Sequence, residues 1–290
     1  LKMTIKLIQF TNPVLGEIIK RPSQFCKTPY VADVKLIDDE NNRVMGHSPS
    51  LGCCGLADKG STIIMTKVDE KKKQKCSHTI QLALYSEGEH NVIIGINPKL
   101  GETIAEQSLI NNCMLNLTNV MSYHREVPIL NSRFDFAGKD STGKPFVMEI
   151  KNVPLADYVD MSKKDKKLYD TNNNNNKSFD QKISYFPDGY RKKNTDVVSP
   201  RALKHIQELE HIATTSNGNV RAILCFIVQR DDVKHFQTSN IDLIYKEAVY
   251  KAHKNGVEIK TIQVKWTYDG ICHFIKNDLP ISLNEADGYI

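Results

Sequence analysis

The feature that most constrains this chain is a change of hydrophobic period at Asn97-Pro98. Before that point apolar residues recur in short runs broken by turn residues: Thr4 to Phe10, Gly16 to Lys20, Val31 to Ile37, Val44 to His47, Thr62 to Val68, Thr79 to Tyr85 and Val92 to Ile96. Short β-rich runs at this spacing predict a small antiparallel barrel or sandwich. After it, Ile104, Ala105, Leu109 and Ile110 fall at helical spacing within Glu102 to Asn112, led in by Gly101. A domain boundary is therefore expected there, and a length of 290 residues fits two domains at roughly 100 to 200 residues each.

Beyond the boundary helices and strands alternate. A strand is expected near Val120 to Val127, then a hairpin over Ser132 to Asn152, a helix from Pro200 to Ala213, and a strand from Arg221 to Val228. A helix from Asp242 to Lys254 and a strand from Val257 to Trp266 follow. The helix at Pro200 is marked by Ser199 as N-cap, proline at its first position, and an apolar stripe of Leu203, Ile206, Leu209 and Ile212. The next helix stops on Asn255-Gly256. The expected fold class is α+β: residues 1–97 as a barrel, for which a five-stranded oligonucleotide-binding-type barrel suits the size, and 98–290 as a mixed α/β domain. A low-complexity insertion carrying Asn172 to Asn176 is expected at about 157–183, because it has no apolar period.

Hydrophobic residues make up 40% of the chain and charged residues 25%, enough for a packed core and a solvated surface. The net charge of +5 and pI near 8.7 tilt towards anionic partners. Two lysine runs, Lys71 to Lys73 with Lys75, and Lys163, Lys164, Lys166 and Lys167, either track phosphate or solvate loops. The seven cysteines form no CxxC pair, which argues against a zinc ribbon and for a reducing compartment; Cys225 reads as a small buried hydrophobe. No segment approaches the ~20 apolar residues of a membrane helix, so no membrane partner and a cytoplasmic location are expected. The chain does not begin with Met, which leaves a removed targeting segment or a nuclear location open.

The chemistry concentrates in the hairpin. In Ser132-Arg133-Phe134-Asp135-Phe136 the strand period of two puts Arg133 and Asp135 on one face and both phenylalanines on the other. On the returning strand Val147, Glu149 and Lys151 share a face opposite Phe146, Met148 and Ile150. Two carboxylates on neighbouring strands, Asp135 and Glu149, can ligate Mg²⁺, or Mn²⁺, through oxygen. The metal would lower the pKa of a bound water and offset charge on phosphate, with Lys151 orienting that water. The plain alternative is a cross-strand ion pair on an exposed face.

This arrangement resembles the D…(E)xK motif of the PD-(D/E)xK nucleases, which often take a further acid from the helix that opens the core. Glu106, mid-helix, is the candidate, with Glu102 and Glu126 as alternatives. The resemblance extends along the chain through Arg21-Pro22-Ser23-Gln24-Phe25, Val31-Ala32-Asp33-Val34, His47-Ser48-Pro49, the Ser132 to Phe136 segment and Glu149-Ile150-Lys151-Asn152-Val153. It continues through Tyr185-Phe186-Pro187-Asp188, Lys204-His205 and Phe226-Ile227-Val228-Gln229-Arg230. In order and spacing these are similar to the sugar fermentation stimulation protein family. That resemblance implies an oligonucleotide-binding-type barrel followed by a PD-(D/E)xK nuclease-like core, and DNA as the partner; it also implies a site role for Asp188. The chain departs from the family in His47-Ser48-Pro49-Ser50-Leu51-Gly52, where the family has His-Cys-Pro-Asn-Thr-Gly, and in the Asn-rich insertion.

Other residues are weighed on position. Gln229 and Arg230 end an apolar strand, where polar side chains face either a ligand crevice or plain solvent. Arg201, Lys204 and His205 lie on the polar side of the helix at Pro200 and could meet phosphate, as could Arg133 on the hairpin. Phe25, Tyr30 and Lys35 could form an aromatic and basic surface for single strands, or serve the core, and Trp266 reads as packing. His47 reads as a base or phosphate contact or as a structural hydrogen bond. The function expected is nucleic-acid binding, DNA by the resemblance, with a Mg²⁺-dependent phosphodiesterase site and a homodimer open. The alternatives are a DNA-binding regulator that does not cleave, and a hydrolase of a small phosphorylated metabolite.

Overall fold

A computed structural model of the chain describes residues 5–39, 41–50, 55–69, 71, 75–161, 165–166, 178–187, 196–284 and 288–290. The strands before the change of period are β1 (Lys6–Gln9), β2 (Val14–Lys20), β3 (Val31–Leu36), β4 (Arg43–His47), β5 (Thr62–Lys67), β6 (His78–Glu87) and β7 (His90–Gly95). After α1 (Pro98–Ile110) come β8 (Ser122–Ile129), β9 (Ser132–Lys139), β10 (Pro145–Val153) and β11 (Ala156–Asp157). A 3-10 turn over Phe179–Gln181 leads into β12 (Lys182–Phe186), α2 (Pro200–Thr215), β13 (Arg221–Val228) and β14 (Val233–Thr238). The chain closes with α3 (Leu243–Lys254), β15 (Glu258–Trp266), β16 (Ile271–Lys276) and β17 (Ile281–Ser282). Three mixed sheets with few helices make the class α+β.

The first sheet runs β4-β3-β2-β5-β6-β7, and a short parallel pairing of Gly46 and His47 with His78 and Thr79 joins β4 to β6. Five strands, β2 to β6, thus close a ring. Its interior holds Ile18, Ala32, Val34, Ile63, Met65 and Ile80, all buried. The run expected over Thr4 to Phe10 does form a strand, β1, but outside this ring: it pairs antiparallel with β16. Leu7 then enters the core beneath α1, which the N-terminal sheet could not offer it.

The second sheet, β1-β16-β15-β13-β10-β9-β8, is parallel at its centre, where β10, β13 and β15 lie side by side. Its central strands are apolar because both faces are covered, and β13 is buried from Ala222 to Val228. On one face α1 packs through Ile104, Ala105 and Leu109 against Phe146, Met148 and Ile150. Leu82 from the ring and Ile93 from the adjoining β7 join the same core, so the two parts of the chain share it. On the other face α2 and α3 bring Ile206, Leu209, Tyr245 and Val249 against Val147, Leu224 and Phe226. Each such side chain contributes roughly 1.5–3 kcal/mol by leaving water.

A third sheet, β11-β12-β14-β17, was not expected; of its strands only β11 and β12 touch the ends of the span expected as an insertion, while β14 and β17 come from later in the chain. At the ends of that span Asp160 and Lys182 are buried, while Met161, Ser178, Asp180 and Gln181 are exposed. Asp160 is buried and accepts from Gln237 Nε2 at 2.7 Å, Ser239 Oγ at 2.9 Å and Asn240 N at 2.6 Å. Lys182, also buried, pairs with Glu87 at 2.8 Å and Asp232 at 3.1 Å. Asn172 to Asn176 and most of the lysines of both runs lie outside the described residues. No described helix is long and apolar enough to cross a membrane.

Candidate functional site

The hairpin forms as expected, and one irregularity in it builds the site. The ladder between β9 and β10 runs from Lys139↔Pro145 to Phe136↔Met148 and stops. Beyond it the backbone N–H of Ile150 donates at 2.7 Å to Oδ2 of Asp135, so a carboxylate replaces a ladder carbonyl. The alternation expected along β9 breaks at that residue. Phe136 joins the core under α1 and Phe134 the core under α2, instead of sharing a face. The break sets the Asp135 carboxylate against Glu149 and Lys151, which stay on one face of β10 as the period of two requires.

Glu149 is buried, at 3% exposure, and its two oxygens differ. Oε1 accepts from Lys151 Nζ at 2.5 Å and is also in contact with His205 Nδ1. Oε2 has no hydrogen-bond partner among the described residues. Burial alone would raise this carboxyl, but the His205 and Lys151 contacts more than offset it and hold it below the ordinary range. Asp135 goes the other way. Burial first, and the neighbouring Glu149 charge second, push it up to about 7 against the pull of Ile150 N–H and Lys151.

These groups line a cavity of about 340 Å³ together with Glu102, Asn152 and Arg201. Ser50 reaches it from the segment after β4, and Tyr185 and Phe186 close it from the end of β12. Glu102 is there because α1 lies unusually close to β10: a Cβ on Gly101 would meet Asn152 Oδ1 at 3.2 Å. Asn97 caps this helix by accepting from Lys99 N, and Pro98 occupies its first turn, so it begins earlier than its apolar period indicated. Glu106, one turn on, is not in the cavity wall; it takes Arg125 at 2.8 Å and Tyr123 Oη at 3.3 Å, while Arg125 also reaches Glu102 at 3.1 Å.

The expected nucleic-acid contacts divide sharply. Arg201 is exposed at the cavity mouth. Lys204 is exposed but donates to Asn131 O, and Arg133 is exposed and paired with Glu126 at 3.1 Å, outside the cavity wall. His205, expected on the polar face of its helix, is buried instead. The contact stripe of α2 is Ala202, Ile206, Leu209 and Ala213, and His205 falls inside it, with its ring 5.8 Å from that of Phe134. Gln229 and Arg230 are likewise buried, and neither lines the cavity. Gln229 bridges Asn152 and Trp266 Nε1, the latter at 2.9 Å, and Arg230 forms two bonds to Asp232, at 2.6 and 2.7 Å. Trp266 stacks on Phe10 with ring centres 5.1 Å apart. Asp188 lies outside the described residues. Asn152, Tyr185 and Phe186 line the cavity too, and their signal in sequence is their place in the segments shared with the family. Ser50 stands where the chain departs from the family's pattern.

Among the described residues no three His, Cys, Asp or Glu side chains converge as a ligand set. Asp135 and Glu149 are the carboxylates that the two paired strands bring together, with Glu102 on the facing helix, and oxygen donors of this kind suit a hard cation that keeps several waters.

Fold and site together define an α+β protein in which a central parallel strand presents Glu-x-Lys to an aspartate on its antiparallel neighbour, at the bottom of a cleft. The chain belongs to the sugar fermentation stimulation protein family: the model of the sugar fermentation stimulation protein RE domain matches residues 99–163 and 175–270, more than half of the chain. A sugar fermentation stimulation protein homolog of Brucella anthropi is 27% identical over 253 residues, covering 86% of this chain and 90% of that protein. One of Clostridium tetani is 27% identical over 246 residues, covering 84% and 86%. The solved structure of Pyrococcus furiosus SfsA in complex with Ca²⁺ superposes with a TM-score of 0.70 at 17% identity, covering 96% of this chain and 99% of that one. This likeness is one of fold.

Proposed function

We propose that this protein is a divalent-metal-dependent phosphodiesterase acting on nucleic acid, with DNA as the substrate its family resemblance suggests. The observation that carries the reading is the buried, unpartnered Oε2 of Glu149, a residue that lines a cavity with Asp135 and Lys151. A buried carboxylate oxygen left without a donor is costly unless something electropositive meets it. Asp135 lines the same cavity, with one oxygen taken by Ile150 N–H. The Ca²⁺ complex of the Pyrococcus relative supports a hard, oxygen-seeking cation.

Asp135 and Glu149 would hold Mg²⁺ or Mn²⁺. Bound there, the ion would lower the pKa of a water and offset charge on the phosphate under attack. Lys151 directs the attacking water and balances negative charge at phosphorus. His205 holds Glu149 by Oε1 and so keeps Oε2 turned out as the ligand oxygen. Arg201 grips the flanking phosphate, and Tyr185 and Phe186 shield the cavity from bulk water. The order of pairing around the ring of β2 to β6 supports reading it as an oligonucleotide-binding-type barrel. The sheet with α1 on one face and α2 and α3 on the other supports a PD-(D/E)xK nuclease-like core.

Incubation with Mg²⁺ or Mn²⁺ and labelled single-stranded, duplex and branched DNA and RNA tests the reading, beside Asp135→Ala and Lys151→Ala. Metal-dependent cutting lost in both variants is expected. Salt-sensitive binding with no cutting on any substrate would replace it with a regulator that binds without cleaving.

A further inference from the structure

A second cavity, of about 430 Å³, opens on the ring of strands. Its floor is apolar, made by Ile19, Val44 and Met45, and Phe25 stands at its rim with 75% of its surface exposed. Lys20, Arg43 and Lys75 surround the opening from three separate parts of the chain. No carboxylate among the described residues pairs with any of the three, whereas Arg221, Arg230 and Lys182 are all tied to acids. Among the described residues Asp33 is the single acid in the wall, and it is spent locally: it is buried and accepts from Ser23 Oγ and, at 2.9 Å, from Gln24 N. The result is a cationic rim over a greasy floor with one free aromatic face. A planar, apolar ring attached to phosphate satisfies all three features.

The two cavities are joined by β4 and the three residues that follow it. Met45 lines the first and Ser50 the second. Five residues of chain span at most about 18 Å, so a few nucleotides bridge them. Arg21 braces this geometry by donating to Pro29 O at 2.8 Å, Ala57 O at 3.0 Å and Ser50 O at 2.6 Å. The turn carrying Phe25 is thereby fixed to the segment that borders the Asp135–Glu149 cavity.

We propose that the Phe25 cavity holds one nucleotide of a single strand, base on Phe25 and phosphates on Lys20, Arg43 and Lys75, and that the same strand continues past Ser50 into the Asp135–Glu149 cavity. This rests on the reading that the latter takes nucleic acid, and it specifies the substrate as single-stranded over that interval. A duplex keeps its bases stacked and paired, so it reaches the rim cations but cannot seat a ring on Phe25.

The test is fluorescence anisotropy in EDTA with a labelled 12-nucleotide oligothymidylate and a 12-base-pair duplex. It uses the full chain, Phe25→Ala, Phe25→Trp, and the combined Lys20→Ala, Arg43→Ala, Lys75→Ala variant. Phe25→Ala weakens single-strand binding about tenfold or more, with duplex binding unchanged, and Phe25→Trp restores it. The triple variant lowers the salt slope of single-strand binding by about 2. Wild-type affinity in Phe25→Ala, equal loss on the duplex, or displacement of the oligomer by thymidine monophosphate at equal concentration would each overturn it. Because divalent metal is absent, the outcome is separate from cleavage. Phe25-dependent binding without cutting on any substrate would sink the phosphodiesterase reading and leave this one standing.

Discussion

Asp135→Asn will stabilise the metal-free protein at alkaline pH, and the gain will vanish in acid. Asp135 sits at about 7 in the fold, chiefly through burial and then through Glu149, against an ordinary value of 3.8. The folded chain therefore holds this proton more tightly than the unfolded chain. Its stability falls as pH rises from about 4 to about 7, and the full penalty is present above that window. Ionising such a carboxyl at pH 8 costs at most about 4 kcal/mol, and relaxation around the site brings it nearer about 2. Asparagine keeps an oxygen for Ile150 N–H and removes the charge. Scanning calorimetry in EDTA at pH 4.5, 6 and 8 should show Tm of the variant rising above wild type by at least about 4 °C at pH 8, with little difference at pH 4.5. Adding Mn²⁺ at pH 8 should raise wild type and leave the variant unmoved. A variant that is destabilised equally at every pH would refute the argument that burial and Glu149 hold this carboxyl up.

Three further outcomes follow from the contacts around that carboxyl. His205→Ala should weaken Mn²⁺ binding by about ten- to hundredfold in titration calorimetry, whereas His205→Asn, which places an amide donor near the position of Nδ1, should recover most of it. Glu102→Gln should reduce metal-dependent cleavage more than Glu106→Gln, read as kcat/KM on one oligonucleotide, because Glu102 lines the cavity and Glu106 is occupied by Arg125 and Tyr123. Phe134→Ala should cost about 3–5 kcal/mol in urea unfolding, since that side chain is fully buried between the sheet and α2.

The hairpin was legible because its information is local. Phe146, Met148 and Ile150 alternate with Val147, Glu149 and Lys151 within one strand, and the strand period alone assigns their faces. Asp135 was legible as a charge opposite Glu149, but the break in β9 was not: it depends on Ile150 N–H preferring a carboxylate to a ladder carbonyl. His205 was misplaced because the apolar stripe was drawn through Leu203 and Ile212, whereas α2 packs through Ala202 and Ala213, small residues that reveal little in sequence. Gln229 and Arg230 end an apolar strand, the usual mark of an exposed crevice, yet Trp266 and Asn152 close over Gln229 from distant parts of the chain, and Arg230 turns back on Asp232 two residues on. The small sheet was invisible for a similar reason. Its strands are two to six residues long and rich in polar side chains, such as Ser184 and Gln237, and they pair across large gaps in sequence.

The central claim is that Asp135 and Glu149 hold a divalent ion at the bottom of the cleft. Anomalous diffraction from crystals soaked in Mn²⁺ measures this most directly. A peak is expected within about 2.5 Å of carboxylate oxygens of both residues, Oε2 in the case of Glu149. Manganese bound elsewhere on the protein, with no peak between these two side chains, would contradict it.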